Sequence, residues 1–125
     1  EPLTPHEGDF LNTAEQAMTL AGLVDSEHCQ LHLDCKAMTS EEDSIPELVD
    51  RHQQSMIHFH ANDPNLLGPG MGDLDFLPIV EALKKIDYQH WVSVEVFRYE
   101  PSPEEIARVS YDHLRKIEQQ LANVV

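Results

Sequence analysis

The sequence predicts an α/β fold with a parallel sheet, and three observations carry that prediction. Short apolar segments with strand character, residues 29–34, 56–60 and 91–97, alternate with segments of helical period. The intervals between them are long enough for a helical crossover, which parallel neighbours require. Each segment also ends on, or carries near its end, a side chain with metal or acid–base chemistry: Asp34, His60 and Glu95. Carboxyl ends of parallel strands are where such folds gather their functional groups.

Taken in order, Asn12 or Thr13 caps a helix from Ala14, with Ala17, Met18, Ala21 and Leu23 on its apolar spacing and Gly22 weakening its end. The alternation of Leu31, His32, Leu33 and Asp34 marks the first strand. Ser44 is placed to cap a helix over residues 45–53, where Pro46 fits the first turn. Residues 56–60 form the second strand, and a Gly/Pro/Asn-rich loop follows from Ala61 to Gly72. Leu77, Val80, Leu83 and Lys84 are spaced for a helix over residues 76–86. The third strand, residues 91–97, is the richest in β-branched and aromatic side chains. Ser102 and Pro103 start a last helix reaching about Ala122, with Ile106, Val109, Leu114, Ile117 and Leu121 as its buried stripe. The order is α-β-α-β-α-β-α, with a strand end expected at Glu1.

The chain has 125 residues, enough for one core, and 41% apolar content, with no apolar run of membrane-spanning length. Two cysteines, Cys29 and Cys35, are too few and too close for a disulfide framework and suit a reducing cytoplasm. A net charge of −15, from 8 Lys plus Arg against 23 Asp plus Glu, argues against nucleic acid as a partner. A small metal-chelating substrate fits that charge better, although much of it serves solubility.

Asp34, His60 and Glu95 come from three different strands and can converge on one point. A mixed carboxylate and imidazole set without thiolate suits Mn²⁺, Mg²⁺, Co²⁺, Fe²⁺ or Zn²⁺, leaning toward the harder ions. Glu95 between Val94 and Val96 is costly unless paired with a basic side chain or bound to a cation. Asp34 alone reads equally well as a turn or cap residue. His58 and His60 form an HxH pair on one strand face, where one serves as ligand and the other supports it. His6, His28, His32, His52, His90 and His113 are read as surface or satisfied core histidines. The 62–73 loop, long and rich in glycine, reads as a substrate clamp or as a structural turn; it lacks the Lys-Ser/Thr of a phosphate loop.

These residues resemble a known family. His58-Phe59-His60, Asn62-Asp63, the run Pro69-Gly70-Met71-Gly72-Asp73-Leu74-Asp75-Phe76, Trp91-Val92-Ser93-Val94-Glu95 and His32-Leu33-Asp34 look like the C-terminal half of the sugar phosphate isomerase/epimerase superfamily of xylose isomerase-like TIM barrels. Within it the sequence is nearest to the ketose 3-epimerase-like proteins. The resemblance covers the whole chain and implies strands five to eight of a (β/α)₈ barrel with their helices. It implies one divalent ion on Glu1, Asp34, His60 and Glu95, with Glu1 and Glu95 as acid and base. The reaction implied is isomerisation or epimerisation of a sugar or sugar phosphate through a metal-stabilised enediolate, a step in carbohydrate metabolism. Glu7 falls on a substrate-contacting glutamate, and His58, Lys36 and Arg98 are further substrate-binding candidates.

Ala37 stands where the 3-epimerases carry a substrate histidine and Leu66 where they carry an arginine, which favours another branch. A full barrel is typically ~250 residues, so a missing N-terminal half-barrel or a second copy is expected to complete the sheet. The competing expectations are an abasic-site endonuclease of the same superfamily and a non-catalytic barrel serving as an assembly module.

Overall fold

The computed structural model describes residues 1–123. Eight elements follow one another: α1 (Ala14–Val24), β1 (Leu31–Asp34), α2 (Cys35–Met38), α3 (Ile45–His52), β2 (Met56–His60), α4 (Leu77–Lys85), β3 (Trp91–Ser93) and α5 (Pro103–Ala122). The strands form one parallel sheet in the order β1-β2-β3. No helix among the described residues is long and apolar enough to cross a membrane.

The helices start where local chemistry dictates. Thr13 Oγ1 accepts the Gln16 N–H at 3.2 Å, so Thr13 and not Asn12 caps α1. Asn12 instead ties the preceding loop, donating to the carbonyls of Leu3 and Gly8. At α3 the Glu47 carboxylate reaches back to the Ser44 N–H at 2.9 Å, with Pro46 in the first turn. Ser102 Oγ accepts the Glu105 N–H at the start of α5. Of the expected α5 stripe, Ile106 and Ile117 are buried and Leu114 and Leu121 pack against the core, while Val109 is only half-buried.

Leu33 and Phe59, both 0% exposed, point from the sheet into the helical layer beside Leu48, Val49, Phe76 and Ile79. Period-two alternation therefore sends His32, Asp34, His58 and His60 to the opposite face. The β1–β2 register slips between Leu31 and His32, pairing Leu31 with Met56 but His32 with His58, and continues with Asp34 beside His60. That irregularity sets two histidines side by side.

The expected elements need correction in several places. The strand end expected at Glu1 is not formed, since residues 1–4 carry no regular structure. β1 begins at Leu31 instead of Cys29. A four-residue helix, α2, occupies the stretch after it, because Asp34 Oδ1 accepts the Ala37 N–H at 2.9 Å and turns the chain. The deep face of α4 is Ile79, Ala82 and Leu83 with Phe76 before it, while Leu77 and Val80 are half-buried. β3 stops at Ser93: beyond it the backbone leaves the sheet, and the N–H groups of Phe97 and Arg98 donate to the Leu66 carbonyl. β3 is also an edge strand with Trp91 79% and Val92 40% exposed, so its apolar composition does not reflect burial within this chain.

Candidate metal centre

Glu1, Asp34, His60 and Glu95 each bring a ligand atom to within 4.8 Å of one another. Three are placed by the ends of different backbone segments: Asp34 closes β1, His60 closes β2, and Glu95 lies two residues past β3. His60 Nδ1 stands at the centre, 3.3 Å from Glu95 Oε2, 3.5 Å from Asp34 Oδ2 and 3.8 Å from Glu1 Oε1. It is buried and makes no hydrogen bond. Three carboxylates around one unpartnered imidazole nitrogen are costly as they stand, because like charges repel and the ring nitrogen has lost water. A divalent cation would relieve both, so the donor set fits the metal that the residues imply.

Asp34 is 2% exposed and serves twice. Its Oδ1 caps α2, and its Oδ2 accepts the Asn62 Nδ2–H at 2.7 Å and faces His60. The cap reading of this residue is thus realised, while its second oxygen faces the cluster. Asn62, 1% exposed, in turn accepts the Lys36 N–H at 2.9 Å, which locks the amide in place. Burial first, then the charge of Asp34, raises the Glu1 carboxyl above its usual range. Glu95 has no Lys or Arg partner among the described residues, so the ion-pair alternative does not apply. The argument from an apolar strand interior also fails for it, since its side chain is 41% exposed beyond the strand end.

The other predicted residues are placed differently. Lys36 is 7% exposed, ion-paired with Glu7, and its Nζ lies 4.4 Å from the centroid of the Phe97 ring. The bridge holds the Glu7 carboxyl below its usual range. This pair lines a pocket with Thr4, His6, Thr39, Ser40, Pro64, Leu66 and Phe97. Arg98 is not brought to the Glu1, Asp34, His60 and Glu95 cluster; it is exposed, with Glu100 3.9 Å away. His58 sits within 5.1 Å of the His60 ring, centroid to centroid.

Sequence reasoning missed two residues here. His32, expected among the surface or satisfied core histidines, has its Nδ1 3.6 Å from Glu1 Oε2 and its Nε2 buried without a partner. Burial, then its histidine neighbours, pushes its pKa down to about 4. Its spacing of two from Asp34 was the available signal. Asn62 was noticed only as part of a motif, and nothing local announces that it orients Asp34.

The loop after β2 is tied down by its own groups. Asp63 accepts the N–H groups of Asn65 and Leu74, and Asn65 bridges Leu67 and Met71. A Cβ on Gly72 would lie 2.2 Å from the Asp63 carboxylate, so that position admits only glycine without displacement. The structural reading of the loop accounts for these contacts.

An open parallel α/β sheet with carboxylates and an imidazole converging at its strand ends defines a portion of an α/β barrel. Residues 1–117 match the family described as xylose isomerase-like TIM barrel, and the chain belongs to that family. It is 33% identical over 97 residues to the D-psicose 3-epimerase of Enterocloster bolteae, covering 78% of this chain and 32% of that one. The 3-dehydro-D-guloside 4-epimerase of Escherichia coli is 30% identical over 95 residues, covering 76% and 36%. Among solved structures, the apo 3-keto-D-glucoside 4-epimerase of E. coli superposes with a TM-score of 0.79 at 28% identity, covering 94% of this chain and 44% of that one. The chain spans about a third of the length of these curated relatives.

Proposed function

We propose that this chain contributes the metal-binding half of a sugar isomerase or epimerase. The observation that carries the reading is the buried, unpartnered His60 Nδ1 facing Asp34, Glu1 and Glu95 at 3.3–3.8 Å. One divalent ion, of the manganese, magnesium, cobalt or zinc group, would be held by those four residues. Such an ion supplies Lewis acidity, drawing charge from a substrate carbonyl so that the neighbouring C–H becomes acidic.

Glu1 and Glu95 take and return the proton at that carbon, the species between the two transfers being an enediolate. Burial and the charge of Asp34 raise the Glu1 carboxyl above its usual range, which suits a group that exchanges protons. Asp34, tied by Asn62 and by the turn of α2, cannot swing to do this work and is a ligand only. Glu7 and Lys36 line the adjoining pocket and are the polar groups available to substrate there. They stand near Ala37 and Leu66, where the 3-epimerase pattern has a histidine and an arginine, so the substrate we infer is a keto-sugar other than the free ketoses of that branch. The relatives are sugar epimerases, and a net charge of −15 disfavours the nuclease alternative.

The three-stranded sheet is open, with Trp91, Val92 and Val94 exposed along β3 and just past it. We propose that further barrel strands complete it, from the rest of a longer chain or from a second copy, which size-exclusion chromatography with intact mass would distinguish. The activity is tested by incubating the protein with Mn²⁺ and a panel of keto-sugars in D₂O. Deuterium incorporation beside the carbonyl, lost on chelation, is expected; epimerisation without solvent exchange, or unaffected by chelation, would refute the mechanism.

A further inference from the structure

Directly beneath the carboxylate set lies a second cluster that the proposed reaction does not use. His32, His58 and His60 bring one ring nitrogen each to within 4.8 Å of one another. Their ring centroids are 4.0, 4.9 and 5.1 Å apart, and every pair of rings is nearly perpendicular, at 85–89°. In a tetrahedral site with metal–nitrogen bonds of about 2.0–2.1 Å, imidazole centroids stand roughly 3.2 Å from the ion and about 5.2 Å from each other. Two of the three observed separations already match, and the third needs His32 and His60 to part by about 1 Å.

The backbone builds this arrangement. The register slip before His32 seats it beside His58, and period two places His60 on the same face. His32 Nε2 is buried without a hydrogen-bond partner and, unlike the equally unpartnered Nε2 of His52, belongs to a cluster with two further imidazoles. His60 turns Nδ1 to the carboxylates, which leaves Nε2 as its remaining donor.

We propose that His32, His58 and His60 form a second metal site, neutral and all-imidazole, that takes a borderline ion of the zinc class with water as the fourth ligand. It differs in kind from the carboxylate-rich set, which favours harder ions. A neutral imidazole has one free ring lone pair, so His60 can serve both sites at once only by giving its ring proton to solvent; filling one site therefore changes the affinity of the other, by the same factor in each direction.

The test uses the full-length protein stripped by chelation and titrated with Co²⁺ and Zn²⁺, following stoichiometry by calorimetry and nitrogen ligation by the visible cobalt bands. The Asp34→Asn protein, with the carboxylate site crippled, is expected to keep one equivalent and the intense bands of low-coordinate cobalt. His32→Leu is expected to lose that equivalent and those bands while still binding Mn²⁺; His32→Gln serves if the leucine variant does not fold. Unchanged zinc stoichiometry and cobalt bands in the folded His32 variant would overturn the proposal, as would an Asp34→Asn protein that binds no zinc. Loss of Mn²⁺ binding in Asp34→Asn alone bears on the carboxylate site and leaves this one standing.

Discussion

Asn62 offers the sharpest test of how the site is held. Its amide donates to Asp34 Oδ2 at 2.7 Å and accepts the Lys36 N–H at 2.9 Å, all within a buried environment. Asn62→Ala leaves that N–H a buried donor without an acceptor, which costs roughly 1–3 kcal/mol, and removes a bond to a charged group, roughly 1.5–3 kcal/mol. The two losses share one cavity and one neighbour, so about 3–4 kcal/mol together is the expected change. That is a large fraction of a typical domain stability of about 5–15 kcal/mol. Urea unfolding at constant m-value reads it directly. Metal affinity should fall about 10–100-fold in the folded variant, because Asp34 is then free to turn away. Asn62→Asp separates the two effects: it keeps an acceptor for Lys36 N–H but sets a second carboxyl against Asp34, so stability should recover more than metal affinity. An Asn62→Ala protein within about 0.5 kcal/mol of wild type and binding Mn²⁺ equally well would refute this reasoning.

Other consequences are as specific. Gly72→Ala places a Cβ 2.2 Å from the Asp63 carboxylate, so the loop must shift, and a loss of about 1–3 kcal/mol in urea unfolding is expected. His52 is buried with an unpartnered Nε2, and burial lowers its pKa below 6.5. Its unfolded form therefore takes the proton first, so its contribution is intact above about pH 6.5 and is lost as pH falls below that value. The Tm of wild type should drop more steeply than that of His52→Leu over this range; parallel curves would count against it. Glu95→Gln, at a side chain 41% exposed, should change stability by no more than about 0.5 kcal/mol while abolishing exchange of substrate protons with D₂O.

The alternation of helices and strands, the parallel sheet and the convergence of Asp34, His60 and Glu95 were legible because period and strand ends are local properties. The resemblance added Glu1, which no local pattern marks. What was not legible depended on neighbours. The length of β3 is set by the Leu66 carbonyl capturing the Phe97 and Arg98 N–H groups, and residues thirty positions apart leave no trace in a window. The rotation of α4 toward Ile79 and Ala82 is set by where the sheet lies. His32 could have been found from its spacing to Asp34, but its partners depend on a register slip that sequence does not announce. Glu95 was identified on a mistaken premise: it is not buried in an apolar strand, yet it faces His60 from the loop beyond.

Mn²⁺ electron paramagnetic resonance on the full-length protein tests most directly whether Glu1, Asp34, His60 and Glu95 hold one hard divalent ion, as proposed. Free Mn²⁺ signal should be quenched by one equivalent of wild-type protein and restored when Asp34 is changed to Asn, while His32→Leu still quenches it. Equal quenching by wild type and Asp34→Asn, or none by either, would contradict the account.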